Sequence, residues 1–356
     1  MKSNYRYIVK AFMAMAVIAG TTSCDDFLDR EPMSSISPET YYSTAAQLEA
    51  NLNDEYPNVL PSFGQWTYGI FGEDKGTDNQ IEVNANDRYT QDRWKVPHSE
   101  SDNWKFERIY RINFFLSEAL PKFGEDMSGS QNTISGSVAT IKHYIGEMYF
   151  LRAYEYFKKL QLFGDFPIIN QPLADEMEAL REASKRFPRN EVARFIISDL
   201  DKAYAYMSDV DMATTRINKD VAMLVKSRVA LFEATWLQNF KGTAFVPGGE
   251  GWPGASLHNN YQYPSGNIDN EVKYFLEQAV EASKLVADKY KGSLTENTGV
   301  LQQSADDPSN PYFDMFAQED LSDVKEVLLW RQYARGLSTH NINAAAGRGN
   351  YRIGLT

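Results

Sequence analysis

Apolar residues recur every three or four positions over most of this chain, with polar residues between them. That is the spacing of helices with one buried face. The longest such run is Val138 to Phe163. Within it Ile141, Tyr144, Ile145 and Met148 fall at i, i+3, i+4 and i+7; Gly164 supplies a C-cap and Pro167 forbids continuation. Pro38 to Tyr56 predicts a second helix, with Ser37 as N-cap and Pro38 in the first turn. Trp104 to Leu120 predicts a third, carrying Trp104, Ile109, Ile112, Phe115 and Leu116 near helical spacing, and Pro121 is read as its end. Asn190 to Met207 sets Val192, Phe195, Ile196 and Leu200 on one side. Asn218 caps a helix from Lys219 to Phe240, where Val221, Leu224, Val225 and Phe232 line a face. Glu271 to Tyr290 turns Val272, Phe275, Leu276, Ala279 and Val280 inward, and VKEVLLWRQY (Val324 to Tyr333) fits a short strand.

Helices with one apolar face each must stack on neighbours, which predicts an all-α fold of tetratricopeptide-like helix pairs, an α-solenoid. No strict 34-residue repeat is present, so the units are degenerate, with long irregular loops between them. Residues 61–103 are rich in Gly, Asp, Asn and aromatics, and residues 241–269 in Gly and Pro. Loops of this length in a compact protein are usually functional or disordered, and their Trp and Tyr content argues against disorder.

The amino-terminal end follows a different pattern. Lys2, Arg6 and Lys10 precede the apolar run Ala11 to Gly20, which is too short to span a bilayer and fits the apolar segment of a secretory signal. Thr21, Thr22 and Ser23 are small, and Cys24, the only cysteine, follows them. The arrangement resembles a bacterial lipoprotein signal, although Thr21 stands where Leu is usual; the relaxed signals of Bacteroidetes tolerate that. The expected organisation is a signal peptide over 1–23 and a single helical body over 24–356, lipidated on Cys24. Several acyl chains, at about 0.8 kcal/mol per buried CH₂, would hold it stably on a membrane. Asp25 and Asp26 resemble the acidic tag that sends such lipoproteins to the cell surface.

Charge narrows the partners. A net charge of -12 argues against nucleic acid, and equally against attraction to anionic lipid. A lone cysteine makes no internal disulfide. His98, His143, His258 and His340 form no H-E-x-x-H, and neither G-x-S-x-G nor G-x-x-x-x-G-K-[ST] occurs. The expectation is a non-enzymatic protein without cofactor or metal; a glycosidase carboxylate pair among the 48 acidic residues is the enzymatic alternative. Asp74, Asp78 and Asp87 within Gly72 to Asp87 depart from calcium-loop spacing and read as a solvated acidic loop. Glu147 and Arg152 read as structural, and Trp94, Trp104 and Trp236 as core anchors.

Several stretches, in order, are similar to the SusD/RagB family of Bacteroidetes outer-membrane lipoproteins: SCDDFLDREP (Ser23 to Pro32), IYRINFFL (Ile109 to Leu116), GEMYFLRAYEYFKKLQLFGDFPII (Gly146 to Ile169), INKDVAMLVKSRVALFEA (Ile217 to Ala234) and GRGNYRIGLT (Gly347 to Thr356). The third is the most specific. Members normally continue well beyond the point where this chain stops, so a carboxy-terminal portion is expected to be missing. The resemblance implies a SusD-like bundle whose loops bind glycans, or in one branch peptides, at the outer-membrane surface, and which serves as a lid on a SusC-like TonB-dependent transporter.

A glycan presents flat C–H faces and a rim of hydroxyls, so its site needs aromatic platforms beside Asn, Asp, Arg or His. Two stretches meet that composition. One holds Trp66, Tyr68, Asn84, Asn86, Arg88 and Tyr89; the other holds Tyr333, Arg335, His340, Asn341, Asn343 and Tyr351. Both fall roughly where the family carries its ligand loops. Trp252, in the Gly/Pro-rich insertion, is a third candidate platform. The resulting expectation is a surface lipoprotein that captures oligosaccharide for a transporter; the rivals are a surface glycoside hydrolase and a protein-binding tetratricopeptide adaptor.

Overall fold

A computed structural model of the chain describes residues 41–61, 80–82, 103–124, 126–208, 212–301, 304, 306–333 and 353–355. Among them are eight α-helices: α1 (Ala45–Val59), α2 (Glu107–Phe123), α3 (Val138–Phe163), α4 (Met177–Ala183), α5 (Arg189–Tyr206), α6 (Lys219–Asn239), α7 (Ile268–Tyr290) and α8 (Pro311–Ala317). Two three-residue strands, β1 (Gln80–Glu82) and β2 (Ile353–Leu355), pair antiparallel with Ile81 opposite Gly354. The expected signal peptide, Cys24 and the acidic loop around Asp74, Asp78 and Asp87 lie outside the described residues, as does Trp94. No described helix is long and apolar enough to cross a membrane.

Helix α3 organises the body. It packs on α1 and α2 on one side and on α5 on the other; α5 then meets α6, and α6 meets α7. This succession of stacked helices is the tetratricopeptide-like arrangement expected. Because α3 has neighbours nearly all round, it is apolar nearly all round, with Ile141, Ile145, Met148, Phe150, Leu151, Tyr156 and Leu160 all buried. Gly164 closes the helix at φ 67°, as the sequence marks, and at the other end the Ser137 hydroxyl accepts from the Thr140 N–H. Gly146 lets α3 pack close against the end of α5, since a Cβ there would lie 2.8 Å from Met207 Cγ and 2.9 Å from the Ala203 carbonyl oxygen.

Several boundaries differ from the expectation. The run AAQLEANLNDEY begins its helix at Ala45, because Thr44 and Gln47 form a capping box: the Thr44 hydroxyl accepts from the Gln47 N–H at 3.3 Å, and the Gln47 side-chain oxygen accepts from the Thr44 N–H at 3.0 Å. The Ser37–Pro38 start lies outside the described residues. Helix α2 begins after Trp104 and continues through Pro121 to Phe123. A proline in the last turn removes only one ladder bond, and Gly124, at φ 105°, provides the actual stop. Leu224, Leu276 and Val280 face solvent instead of the core. Each sits one residue, about 100° of helix, beyond a buried position: Met223, Phe275 and Ala279. Val324 to Tyr333 is irregular chain, not a strand: its Leu328 carbonyl accepts from the Asn218 side chain and its Trp330 N–H donates to the Thr214 carbonyl, with no strand ladder beside it.

Buried ion pairs tie the helices together. Arg152 on α3 meets Asp199 on α5 at 2.6 Å, and Arg189 on α5 meets Glu233 on α6 at 2.8 Å. Arg194 on α5 meets Glu271 on α7 at 2.7 Å, and Glu147 on α3 meets Arg216 at 2.7 Å. Glu147 and Arg152 are therefore the structural residues the sequence suggested. Trp104 packs edge-on against Phe163 and Phe166, centroids 4.9 Å apart in each case, as a core anchor. Trp236 is half-buried against the core, its indole N–H donating to the Phe245 carbonyl.

Candidate functional site

The carboxy-terminal turn of α1, the middle of α3 and the first turns of α6 converge on one open cavity of about 530 Å³, within the range of small-ligand sites. Tyr56 and Leu60 come from the end of α1, Phe150 and Tyr154 from α3, and Val221 and Val225 from α6. Two loops complete the wall, one with Thr215, the other with Trp330, Arg331 and Gln332.

A hydrogen-bonded knot forms the floor. The Tyr56 hydroxyl donates to Glu147 Oε2 at 2.7 Å and accepts from the Ile217 N–H at 2.9 Å. Burial, reinforced by the Glu147 charge, raises that hydroxyl well above its ordinary range, so it stays a donor. Arg216 grips Glu147 through Nε at 3.0 Å and Nη2 at 2.7 Å. His143 Nε2 lies 3.0 Å from the Ile217 carbonyl oxygen and 3.1 Å from Glu147 Oε1. The loop from Met212 to Asn218 is thus locked onto α1 and α3.

That locked loop holds the aromatic wall. The Trp330 indole N–H donates to the Thr214 hydroxyl at 2.8 Å, and its backbone N–H donates to the Thr214 carbonyl at 3.2 Å. Two residues earlier in the chain, the Leu328 carbonyl accepts from the Asn218 side-chain amide at 2.9 Å. The indole is therefore fixed in orientation while remaining only half-buried. Arg331 is exposed beside it, its guanidinium 5.8 Å from the Tyr333 ring centroid.

Both aromatic stretches singled out by sequence depart from this cavity. Pro61, on its wall, leads into the first, and Gln332 leads into the second. Strand β1 lies within the first and β2 follows the second, and they pair with one another. Tyr333 is half-buried. Trp66, Tyr68, Asn84, Asn86, Arg88, Tyr89, Arg335, His340, Asn341, Asn343 and Tyr351 lie outside the described residues.

Trp252 does not fit the expectation of an open platform. Its side chain is 5% exposed, its N–H donates to Asp165 Oδ2 at 2.7 Å, and its ring stacks on His258. A partner for the indole N–H and a flat bed against Gly254 make it an anchor of the Gly/Pro-rich insertion. It lines a second cavity of about 540 Å³ with Trp236, Arg186 and the exposed Phe245.

Sequence reasoning missed Trp330 and Arg331 by placing them in a strand. The available signal was a Trp-Arg pair two residues ahead of Tyr333, at the mouth of the ring-bearing stretch. Chemically the first cavity offers ring faces, a hydroxyl, an amide and a guanidinium, and its described lining contains no carboxylate. Among the described residues, no three His, Cys, Asp or Glu side chains converge as a metal site.

A SusD-like family model described as "Starch-binding associating with outer membrane" matches residues 26–231. SusD-like protein P2 of Formosa agariphila is 25% identical over 253 residues, covering 68% of this chain and 46% of that protein. SusD-like protein P25 of the same organism is 25% identical over 233 residues, covering 60% and 41% respectively. The chain thus spans just under half the length of these curated relatives. A solved SusD superfamily protein from Parabacteroides distasonis shares 19% identity over 70% of this chain and 46% of its own, with a TM-score of 0.46. With more than half of its residues inside the family match, the chain belongs to the SusD-like family.

Proposed function

We propose that this protein is a glycan-binding lipoprotein of the outer-membrane surface. It is held by a lipid on Cys24 after removal of residues 1–23, and it passes oligosaccharide to a SusC-like TonB-dependent transporter. The observation that carries the reading is geometric. Two stretches rich in aromatic and amide side chains leave the helical body from the wall of one cavity, beside the fixed indole of Trp330. The family's description, which joins starch binding to the outer membrane, supports both the ligand class and the location. Binding without cleavage is part of the proposal, and the family's description as starch-binding supports it.

Each stacked ring contributes on the order of 1 kcal/mol, a factor of about 5 in affinity. Calorimetric titration with a panel of oligosaccharides is expected to give measurable binding to the wild-type protein, weakened severalfold or more by Trp66→Ala, Tyr333→Ala and Trp330→Ala. Wild-type affinity in all three variants would remove the site from this cavity. Replacing Cys24 by Ala is expected to shift the protein from the membrane pellet to the soluble fraction, and an unchanged pellet would refute the anchor.

A further inference from the structure

Resting on the glycan-binding reading, we infer that the cavity beside Trp330 selects an acidic oligosaccharide, a carboxylate or sulfate meeting Arg331 while a sugar face lies on the indole. Three observations converge on this. First, the chain carries 48 acidic residues against 36 basic ones, yet the described lining of this cavity includes Arg331 and no Asp or Glu. No described lining residue carries a charge that would repel an anion. Second, two neighbouring cations are already paired: Arg216 with Glu147, and Lys158 with Glu155. Arg331 makes no ion pair among the described residues; its one described contact is the Tyr333 ring. A guanidinium left in this state retains its planar fork for a carboxylate or sulfate. Third, Arg228 lies one helical turn along α6 from the wall residue Val225 and likewise has no ion pair among the described residues. Its charge reaches the Tyr154 hydroxyl, opposing the rise that burial imposes there.

The geometry also divides the labour. Trp330 is held from behind by Thr214, so its free face is presented without loss of rotamer freedom on binding. Arg331 follows it directly in the chain, which places a charge-reading group next to a face-reading one. Neutral sugars would use the ring alone.

The test is calorimetric titration of the wild-type protein, Arg331→Gln and Arg331→Lys with tetragalacturonate, a sulfated carrageenan tetrasaccharide, maltotetraose and a tetra-aspartate peptide. At least one acidic saccharide is expected to bind the wild type about tenfold tighter than maltotetraose, the size of one charge-assisted hydrogen bond. Arg331→Gln should abolish that preference, weakening the acidic saccharide about tenfold more than maltotetraose; Arg331→Lys should keep part of it; added salt should erode it. The galacturonate and sulfate arms identify which anion is read. Equal or tighter binding of maltotetraose, or an Arg331→Gln variant that keeps the preference, overturns the inference and leaves glycan binding intact. Preference for the aspartate peptide overturns the ligand class. Absence of binding to every saccharide removes both this inference and the reading beneath it.

Discussion

Replacing Asp199 by Asn probes the contact on which the helix stack depends most. Asp199 is fully buried on α5, and Arg152 on α3 is 3% exposed. The pair is bidentate, Nε to Oδ2 at 2.6 Å and Nη2 to Oδ1 at 2.8 Å. The guanidinium also donates to Asn113 Oδ1 on α2 at 2.9 Å and to the Asn170 carbonyl at 3.1 Å, and it sits over the Tyr149 and Phe195 rings. One side chain therefore joins α2, α3, α5 and the segment after α3. Asn preserves the volume of Asp, so no cavity is created. What remains is a buried cation without its counter-charge, which costs about 3–5 kcal/mol. The amide oxygen still accepts one hydrogen bond from the charged guanidinium, worth about 1.5 kcal/mol, so the expected loss is about 2–3 kcal/mol. Removing both charges together, Arg152→Met with Asp199→Leu, should cost less than the sum of the single changes, because apolar substitutes of similar size remove the desolvation penalty as well. Urea unfolding midpoints, with the slope checked for constancy, give these energies. A loss under about 1 kcal/mol for Asp199→Asn, or strict additivity in the cycle, would refute the view that this pair is a buried structural tie.

Two further outcomes follow from the same contacts. Ala is the better helix former, yet Gly146→Ala is expected to destabilise by about 1–3 kcal/mol, since the added Cβ would meet the Ala203 carbonyl oxygen and Met207 Cγ across the α3–α5 contact; a raised melting temperature would contradict that packing. Burial pushes the Glu271 carboxyl up, but hydrogen bonds from Arg194, Asn190 and Ser265 outweigh it and hold the group below its ordinary 4.5. A depressed folded value means the stabilisation is complete above the unfolded pKa and is lost as pH falls through the folded one. Wild type should therefore lose its melting-temperature advantage over Glu271→Gln below about pH 4.5, and an advantage independent of pH would exclude the linkage.

Helix α3 was legible because its signals agreed: the i, i+3, i+4 spacing, a glycine after the last turn and a proline beyond it. The start of α1 at Ala45 was not, because spacing alone does not report the reciprocal Thr44–Gln47 bonding that sets it. Pro121 misled because proline ends a helix when it interrupts the middle, but not when it falls in a final turn. Leu276 and Val280 were placed inward because periodicity fixes the existence of a stripe better than its angular position. The wall of the cavity was half legible. Its aromatic stretches stood out by composition, whereas Trp330 owes its role to Thr214, far back in the sequence, and no local pattern reports such a contact. Trp252 shows the converse: a Gly/Pro-rich surrounding suggested exposure, and a single half-buried carboxylate, Asp165, holds the ring inside.

The most direct measurement is a crystal structure of the protein soaked with an oligosaccharide that calorimetry has shown to bind. The account predicts a sugar ring lying on the free face of Trp330, between Tyr154 and Arg331. Density for the sugar elsewhere, such as on Phe245 and Trp236 in the second cavity, with Trp330 left bare, would contradict it.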